Sequence, residues 1–442
     1  MDIRSVRILL LSYMLIALLG ALLLSLPPMQ RAPLPFVDLL FTSTSAVCVT
    51  GLIVQNTASD FTFWGQLVIL LLIQVGGFGY MTLATLLYLV LRRRLGFREK
   101  QVLKETLDYP TMDGLIRFMR RIVFFVLYIE FVGALLLFGR FCLDKEMEEA
   151  LWLAIFHAVS AFNNAGFSLF ESNLMEYRGD VAINLIITSL IIIGGLGYFV
   201  LLELREHHKK RFFHLSLHTK VVVAMTAALL VFAALVVLIL EWNNPRTLGE
   251  LPVWERFMAA YFASVNFRTA GFNTLDIGGF RDATMFFSSV FMSIGGAPGG
   301  TAGGIKVTTV AVLLLYGWAS LRQGEPVIFK RKVADEVVQK SFVILLGAAI
   351  YIILSAMALS MIEEGVSFLP LLLEVSSAFG TVGLSAGDGG VLSLSANFDT
   401  FGKFFMIVLM LLGRVGVLAF TIVFFGASSP RRVQYPEGRI IL

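Results

Sequence analysis

The sequence predicts an all-α polytopic membrane protein with four pseudo-repeats of one unit: a spanning helix, a re-entrant helix with its loop, and a second spanning helix. Three observations lead to this fold class. Of 442 residues, 57% are hydrophobic and only 15% are charged, which is unusual for a soluble domain. Long apolar segments recur along the chain. A glycine-bearing element also recurs, at nearly constant spacing.

The spanning helices are predicted from segment length. A bilayer core about 30 Å thick requires about 20 apolar residues in a helix. Seven segments meet this requirement, near residues 6–26, 64–91, 122–139, 181–203, 221–240, 341–362 and 404–427. An eighth, from about 283 to 321, is interrupted by glycines. The first segment follows basic residues as a signal peptide does, but no A-x-A cleavage site follows it, so we expect a retained helix.

The charges alternate between the segments that connect the spans. One set of segments, with both termini, holds 24 Lys and Arg against 11 Asp and Glu, whereas the alternate set holds 9 against 19. The positive-inside rule therefore places both termini and the basic set in the cytoplasm. We interpret basic runs such as 92–94 and 330–332 as topology signals that contact membrane lipids, and we expect no nucleic-acid surface. With Cys48 and Cys142 alone, a disulfide framework or thiolate metal cluster is not expected.

Each acidic segment contains an apolar stretch too short to span the bilayer, which suggests a re-entrant helix. These stretches are Leu34 to Ser45, Trp152 to Phe162, Trp254 to Asn266 and Phe368 to Phe379.

A glycine follows each short stretch, and aligning the four glycines reveals an internal repeat. Gly51, Gly166, Gly271 and Gly383 are 115, 105 and 112 residues apart. Serine lies six residues before the glycine in three copies, and leucine or phenylalanine follows it in all four. The predicted repeats are residues 1–110, 111–215, 216–335 and 336–442, the third carrying a glycine-rich intramembrane loop and the fourth a C-terminal tail.

Four non-helical loops at membrane depth predict a shared, water-filled central pore, because unpaired backbone is tolerated there only where protein or water covers it. Inward-pointing carbonyls can replace the hydration shell of potassium, and glycine allows four strands to approach one axis. The negative end of each re-entrant helix would favour a cation. The candidate filter residues are Val49, Thr50, Gly51, Asn164, Ala165, Gly166, Thr269, Ala270, Gly271, Thr381, Val382 and Gly383.

A second glycine column follows the first and is broken in the last two repeats. Gly76-Gly77 and Gly194-Gly195 correspond to Gly413-Arg414 in the fourth repeat. Arg414 therefore replaces a glycine within an apolar span, where an ionisable side chain is a functional candidate. We expect it to project toward the axis and oppose a passing cation. The alternative is a structural tie to Glu130 or to backbone carbonyls.

In the third repeat the column becomes Gly295 to Lys306, which contains six glycines and a proline. We interpret it as an irregular, mobile loop, since an ordinary helix would be costly there; close helix packing is the alternative. A phosphate-binding loop is not expected, because Ile305 occupies the required lysine position. The candidate gate residues are Arg414, Gly295, Gly296, Gly299, Gly300, Thr301, Gly303, Gly304 and Lys306.

Two further polar residues near the loops are predicted to be structural. His157 has no second ligand at metal spacing, so we expect a packed, hydrogen-bonded side chain. Arg268 lies three residues before Gly271, and we expect it to brace the helix against an outer acid. No intramembrane catalytic constellation is recognisable, so the chain is not expected to be an enzyme.

In repeat count, loop motifs and interrupted third unit, the chain resembles the Trk/Ktr/HKT superfamily of potassium transporters, over essentially its whole length. Its length and its ending, Gln434 to Leu442, most resemble the membrane subunits of bacterial Ktr systems. The resemblance implies potassium uptake across the cytoplasmic membrane of a bacterium, with potassium at the filter glycines and an arginine that gates together with the third-repeat loop. Some plant members carry serine at the first filter glycine and favour sodium, whereas this chain has Gly51.

The resemblance also implies partners. Family members pair their membrane subunits, so a homodimer is expected, together with a cytosolic ring of nucleotide-binding regulatory subunits of the KtrA type. No nucleotide-binding fingerprint occurs in this chain, so nucleotide control would come from that ring. Sodium stimulation is implied, but no residue is assigned to sodium. Because only Thr381-Val-Gly-Leu approaches the motif of simple potassium channels, a sodium-permeable or weakly selective cation channel is the alternative function.

Overall fold

The computed structural model describes residues 3–79, 115–207, 214–387, 389 and 391–416. Within these ranges the chain is almost entirely helical, apart from loops and one short antiparallel hairpin. The basic run at 92–94, the far ends of the spans predicted at 64–91 and 404–427, and the C-terminal sequence 434–442 lie outside the described residues.

The described helices are α1 (Ile3–Leu24), α2 (Phe36–Cys48), α3 (Phe63–Phe78), α4 (Leu115–Phe141), α5 (Met147–Phe162), α6 (Val181–Gly195), α7 (Tyr198–Glu206), α8 (Leu217–Glu241), α9 (Val253–Asn266), α10 (Asp282–Met292), α11 (Val307–Leu321), α12 (Asp335–Ile362), α13 (Phe368–Gly380) and α14 (Thr400–Val415). Strands β1 (Val327–Ile328) and β2 (Arg331–Lys332) form the hairpin.

The helices repeat in the predicted order of outer helix, short helix and inner helix. The outer helices are α1, α4, α8 and α12, and these four described helices are long and apolar enough to cross a membrane. The short helices are α2, α5, α9 and α13, which coincide with the four predicted re-entrant stretches. The inner helices are α3, the pair α6 and α7, the pair α10 and α11, and α14.

The outer helices turn apolar side chains away from the protein. Leu15, Phe131, Ile239 and Ile353 are all exposed, whereas a water-soluble protein rarely leaves so large an apolar surface uncovered. Many serine, threonine and asparagine side chains of the short helices and their loops are buried. Apolar residues outside and polar residues inside fit a protein surrounded by lipid.

The four units close into a ring. Each inner helix packs against the short helix of the next unit, so that α3 contacts α5, α6 contacts α9, α10 contacts α13, and α14 contacts α2. The last contact joins the fourth unit to the first. The four short helices and their loops therefore surround a common centre.

The span predicted over 181–203 consists of two helices with a sharp bend between them. α6 ends at Gly195, α7 begins at Tyr198, and the two axes differ by 102°. The connecting Gly197 has φ 86°, which side chains with a Cβ rarely adopt. The break predicted in the third unit is present, because residues 293–306 between α10 and α11 are not helical. We call residues 293–306 the intramembrane loop.

Candidate functional site

The loops after the four short helices share one backbone conformation despite different sequences. The residue two positions before each aligned glycine is left-handed: Val49 (φ 56°), Asn164 (60°), Thr269 (64°) and Thr381 (53°). The glycines also have positive φ, namely Gly51 (93°), Gly166 (70°), Gly271 (75°) and Gly383 (94°). Non-glycine residues seldom adopt this region, so its fourfold recurrence supports the repeat alignment.

The four glycines form a closed ring. A Cβ on Gly51 would lie 2.5 Å from the Ala165 oxygen of the second unit. Around the ring, a Cβ on Gly166 would lie 2.9 Å from Ala270 O, one on Gly271 2.7 Å from Val382 O, and one on Gly383 would collide with Thr50 O. Each glycine thus contacts the carbonyl that precedes the next glycine. A side chain at any of the four would collide with backbone.

Hydrogen bonds to the short helix orient the carbonyls of the first and fourth loops. The Thr50 N–H donates to Ser45 O (2.8 Å) and the Gly51 N–H to Ser45 Oγ (3.1 Å). Because C=O and N–H point in opposite directions in a trans peptide, the carbonyls of Val49 and Thr50 point away from α2. Ser377 makes the same two bonds to Val382 (2.8 Å) and Gly383 (3.0 Å).

The second and third loops use related bonds. The Ala165 N–H donates to Ser160 O at 2.8 Å, and the Ala270 N–H donates to Asn266 O at 3.2 Å. Asn266 occupies a different register from the serines, and its Oδ1 accepts the Phe272 N–H at 2.9 Å. The serine column found in the sequence therefore binds loop backbone, although the sequence alone did not reveal that role.

A cavity of about 30 Å³ adjoins the ring, and the backbone of Gly51, Gly271 and Gly383 contributes to its lining. Asn273 and Ser385 line the same cavity. It is large enough for a water molecule, and its lining mixes polar and aliphatic side chains. The site therefore combines a narrow ring of peptide groups with an adjoining small cavity.

In the first, second and fourth units, the second glycine column brings the inner helix against its own short helix. A Cβ on Gly76, Gly194 or Gly413 would collide with the Val47, Phe162 or Phe379 carbonyl, respectively. The helices stop just after this contact, at Gly79 (φ 72°), Gly197 (86°) and Gly416 (94°). The column therefore permits close packing and then a helix break.

The intramembrane loop, which belongs to the third unit, contacts the second and fourth units. The Gly303 N–H donates to Thr381 Oγ1 of the fourth filter loop at 3.1 Å. The Ala297 N–H donates to Gly195 O of the second unit at 2.9 Å. Lys306 Nζ donates within the loop, to Ala302 O at 2.8 Å. The loop therefore lies directly beside the filter loop of the fourth unit.

Arg414 connects this loop to the first unit, donating to Thr301 O and to Gly76 O. The suggested tie to Glu130 does not form. Glu130 instead accepts from Gln74 Nε2 (3.1 Å) and Asn163 Nδ2 (2.9 Å). Binding of Arg414 to two carbonyls is compatible with the gate and with the structural tie, so the two interpretations stay open.

The Glu130 cluster was only partly foreseeable. An acid within an apolar span was visible in the sequence, but its partners were not. The Asn163 side chain is completely buried, and its Oδ1 has no hydrogen-bond partner among the described residues. Asn163 directly precedes the left-handed Asn164, so the cluster braces the second filter loop from behind.

The expectation for Arg268 is wrong. Within the described ranges it forms no ion pair, and its buried Nε has no hydrogen-bond partner. The side chain instead borders a cavity of about 10 Å³ together with Asn164 and Gly195. Gly195 belongs to the inner-helix break, so the guanidinium lies away from the outer acids.

His157 is packed and hydrogen-bonded, as expected. Its Nδ1 bonds to Leu153 O (2.7 Å), its Nε2 bonds to Ser168 Oγ (2.9 Å), and its ring stacks on Phe170. No group of three potential metal ligands occurs in the described part of the chain.

Glu374 was missed, although it occupies the same register as His157, nine residues before the aligned glycine. It is completely buried and accepts from Ser385 Oγ (2.5 Å) and Ser395 N (3.0 Å). Ser168 and Ser385 both lie two residues after their glycines. The second and fourth loops are therefore fastened on their outer side as well, and this correspondence was available in the alignment.

Comparisons with known proteins agree with this geometry. The family model described as TrkH, cation transport protein, matches residues 12–434. The chain is 40% identical to the Ktr system potassium uptake protein B of Bacillus subtilis, covering 98% of this chain and 96% of that protein. It is 38% identical to the protein of the same name from Vibrio alginolyticus, over 98% and 94% of the two chains.

It is also 34% identical to the potassium/sodium uptake protein NtpJ of Enterococcus hirae, over 97% of this chain and 95% of that protein. Among solved structures, the potassium transporter TrkH from Vibrio parahaemolyticus superposes with a TM-score of 0.76 at 19% identity, covering 96% of this chain and 85% of that one. This likeness concerns the fold.

Proposed function

Because the chain belongs to the TrkH family of cation transport proteins, we propose that it takes up potassium through the ring formed by Gly51, Gly166, Gly271 and Gly383. The resemblance inferred from the sequence is thereby confirmed at the level of the family. The observation that carries the proposal is the closed ring itself. Four loops of one backbone conformation meet at it, with two carbonyls per loop turned away from the short helix in the first and fourth units.

Potassium would bind at the filter residues through carbonyl oxygens. These residues are Val49, Thr50, Gly51, Asn164, Ala165, Gly166, Thr269, Ala270, Gly271, Thr381, Val382 and Gly383. Oxygen dipoles at fixed spacing replace the hydration shell of the ion. The backbone conformation does not depend on the side chains at these positions, which explains how four dissimilar sequences can serve one ion.

The gate would consist of Arg414 and the intramembrane loop, including Gly295, Gly296, Gly299, Gly300, Thr301, Gly303, Gly304 and Lys306. Arg414 carries a positive charge next to this loop, and a cation must pass it. In a low-dielectric surrounding two like charges repel strongly, so the loop and Arg414 must move for conduction.

The partners of this chain are proposed from its relatives. Two relatives are named protein B of a Ktr system, which supports a system of several subunits. We propose that the partner is a cytosolic ring of nucleotide-binding subunits of the KtrA type and that the chain forms a homodimer. We place both termini in the cytoplasm of a bacterium on the charge distribution. Sodium stimulation belongs to the same proposal, without an assigned site.

A second candidate function, a sodium-permeable or weakly selective cation channel, is favoured by the differing loop sequences and by the relative named potassium/sodium uptake protein. Rubidium uptake and bi-ionic reversal potentials in proteoliposomes separate the two candidates. Rubidium uptake with a potassium-selective reversal potential supports potassium uptake. Equal permeability to sodium would favour the second function, and absence of any cation flux would contradict both.

A further inference from the structure

Two side chains connect the intramembrane loop to the first unit. Arg414 binds Thr301 O of the loop and Gly76 O of α3. Tyr198 makes a parallel connection from the second unit. Its backbone N–H donates to Gly299 O of the loop at 3.0 Å, and its hydroxyl donates to Gly77 O at 2.9 Å.

The helix breaks make these bonds possible. Gly76 and Gly77 lie in the last turn of α3, where carbonyls lack the regular N–H partner four residues later, although Gly76 O also accepts the Gly79 N–H at 3.1 Å. Tyr198 is the first residue of α7, where an N–H has no intrahelical acceptor. Unpaired backbone groups are costly inside a membrane protein, so the broken helices are stabilised by binding the loop and each other.

The loop fits closely against the break that precedes Tyr198. A Cβ on Gly197 would lie 2.6 Å from Pro298 O. In the other direction, a Cβ on Gly300 would lie 3.1 Å from the backbone nitrogen of Gly197. Both contacts are between backbone atoms, so rotation of a side chain cannot relieve them. The loop is therefore seated in one position relative to Tyr198.

The side chain of Tyr198 is itself held in place. It is 4% exposed, and the far end of α7 is anchored because Glu203 accepts from the N–H of Ser216 (2.6 Å) and from its hydroxyl (2.6 Å). Ser216 caps the start of α8. Because α7 is held at both ends, the Tyr198 ring at its start has a fixed position and can in turn position a backbone carbonyl of the neighbouring unit.

We propose that Tyr198 is a positioning residue of the gate, the uncharged arm of a two-arm clamp whose charged arm is Arg414. The clamp keeps the intramembrane loop seated beside the filter loop of the fourth unit when the protein does not conduct. The inference rests on the proposed function, since a gate presupposes ion flux. Loss of either arm loosens the loop and so weakens the other arm, because Gly299 and Thr301 belong to the same short loop.

Tyr198→Phe removes the hydroxyl and keeps the ring. A hydrogen bond present only in the closed state shifts the equilibrium toward that state by its net free energy, about 1 kcal/mol. Since 1.4 kcal/mol corresponds to a factor of ten, we expect the maximal rubidium flux in proteoliposomes to rise about fivefold. The half-saturating rubidium concentration and the rubidium-to-sodium ratio should stay unchanged, because the filter is untouched. A merely structural role would lower the yield of folded protein without this selective rise.

Tyr261→Phe is the matched control. The Tyr261 hydroxyl donates to Thr188 Oγ1 at 3.3 Å between α9 and α6, away from the intramembrane loop, so its removal should leave flux at the wild-type level. Gly300→Ala is the second variant. Its Cβ should lift the loop from the break and also raise flux, which decides the question if Tyr198→Phe fails to fold.

The double variant Tyr198→Phe with Arg414→Ala completes the test. Two arms on one loop predict a combined increase smaller than the product of the two single increases. Wild-type flux in folded Tyr198→Phe, or unchanged flux in Gly300→Ala, would overturn the clamp while leaving potassium uptake intact. A fully multiplicative double variant would also overturn it. Absence of rubidium flux in the wild type would instead refute the proposed function.

Discussion

Substitution of Gly51 by serine tests the ring of glycines most directly. Gly51 has φ 93°, and a residue with a Cβ in a left-handed conformation is strained by roughly 1–2 kcal/mol. The new Cβ would also lie 2.5 Å from Ala165 O. Relieving that contact requires a displacement of about 0.5 Å, because real Cβ contacts below 3.0 Å are essentially absent.

The displacement must occur within the ring, since the colliding atom is a backbone oxygen of the neighbouring loop. A free energy of roughly 1–2 kcal/mol corresponds to a factor of about 5 to 30. If the strain is relieved by distorting the potassium site, the preference for potassium over sodium should fall by about this factor. Bi-ionic reversal potentials in proteoliposomes measure the ratio.

Gly317→Ser is the matched control, because a Cβ on Gly317 in α11 would meet nothing within 4 Å. Its selectivity should equal that of the wild type. If Gly51→Ser kept full potassium selectivity in a normally folded protein, Gly51 would not line the ion path. A comparable loss in Gly317→Ser would show that the assay reports general damage.

Three further predictions follow from the same contacts. Arg414→Ala removes two charge-assisted bonds to the loop and α3, and rubidium flux should rise roughly tenfold or more; wild-type flux would favour the structural tie. Glu130→Ala removes the acceptor of the half-buried Gln74 amide and one of the acceptors of the buried Asn163 amide, and it should destabilise the protein by about 1–3 kcal/mol, measured as earlier thermal aggregation in detergent, with Glu130→Gln milder; equal stability of the two variants and the wild type would contradict this. Ser377→Ala deprives the Gly383 N–H of its acceptor, and reversal potentials should reveal a modest loss of selectivity, about fivefold at most; an unchanged ratio would mean that the loop is held by other bonds.

The serine and glycine register of the loops was predictable because it is local, whereas the bonds that the serines make were not. The distance from Ser45 to Gly51 along the chain is the same as that from Ser377 to Gly383, and this spacing places a hydroxyl at the end of a short helix beside the loop N–H. The left-handed residue two positions before each glycine was not predicted. Valine and threonine there carry no local signal for that conformation, which is imposed by the bonds to the short helix.

Other features depended on contacts between distant parts of the chain. Arg268 was expected to meet an outer acid on the basis of its charge, but its position relative to the ring turns it toward Gly195. The span over 181–203 looked continuous because its hydropathy is continuous. Its bend arises at Gly197, where the intramembrane loop from the third unit donates to and accepts from the freed backbone groups.

By itself the sequence determined the membrane environment, the four repeats, the register of the filter glycines and the break in the third unit. Hydropathy encodes each span within about 20 residues, and the glycine register follows from a short motif that recurs 105 to 115 residues apart. The tertiary structure alone decided which carbonyls Arg414 and Tyr198 bind, because these partners belong to different units and meet only in the folded ring. The symmetric filter is thus encoded four times along the chain, whereas the asymmetric gate exists only in the assembled ring.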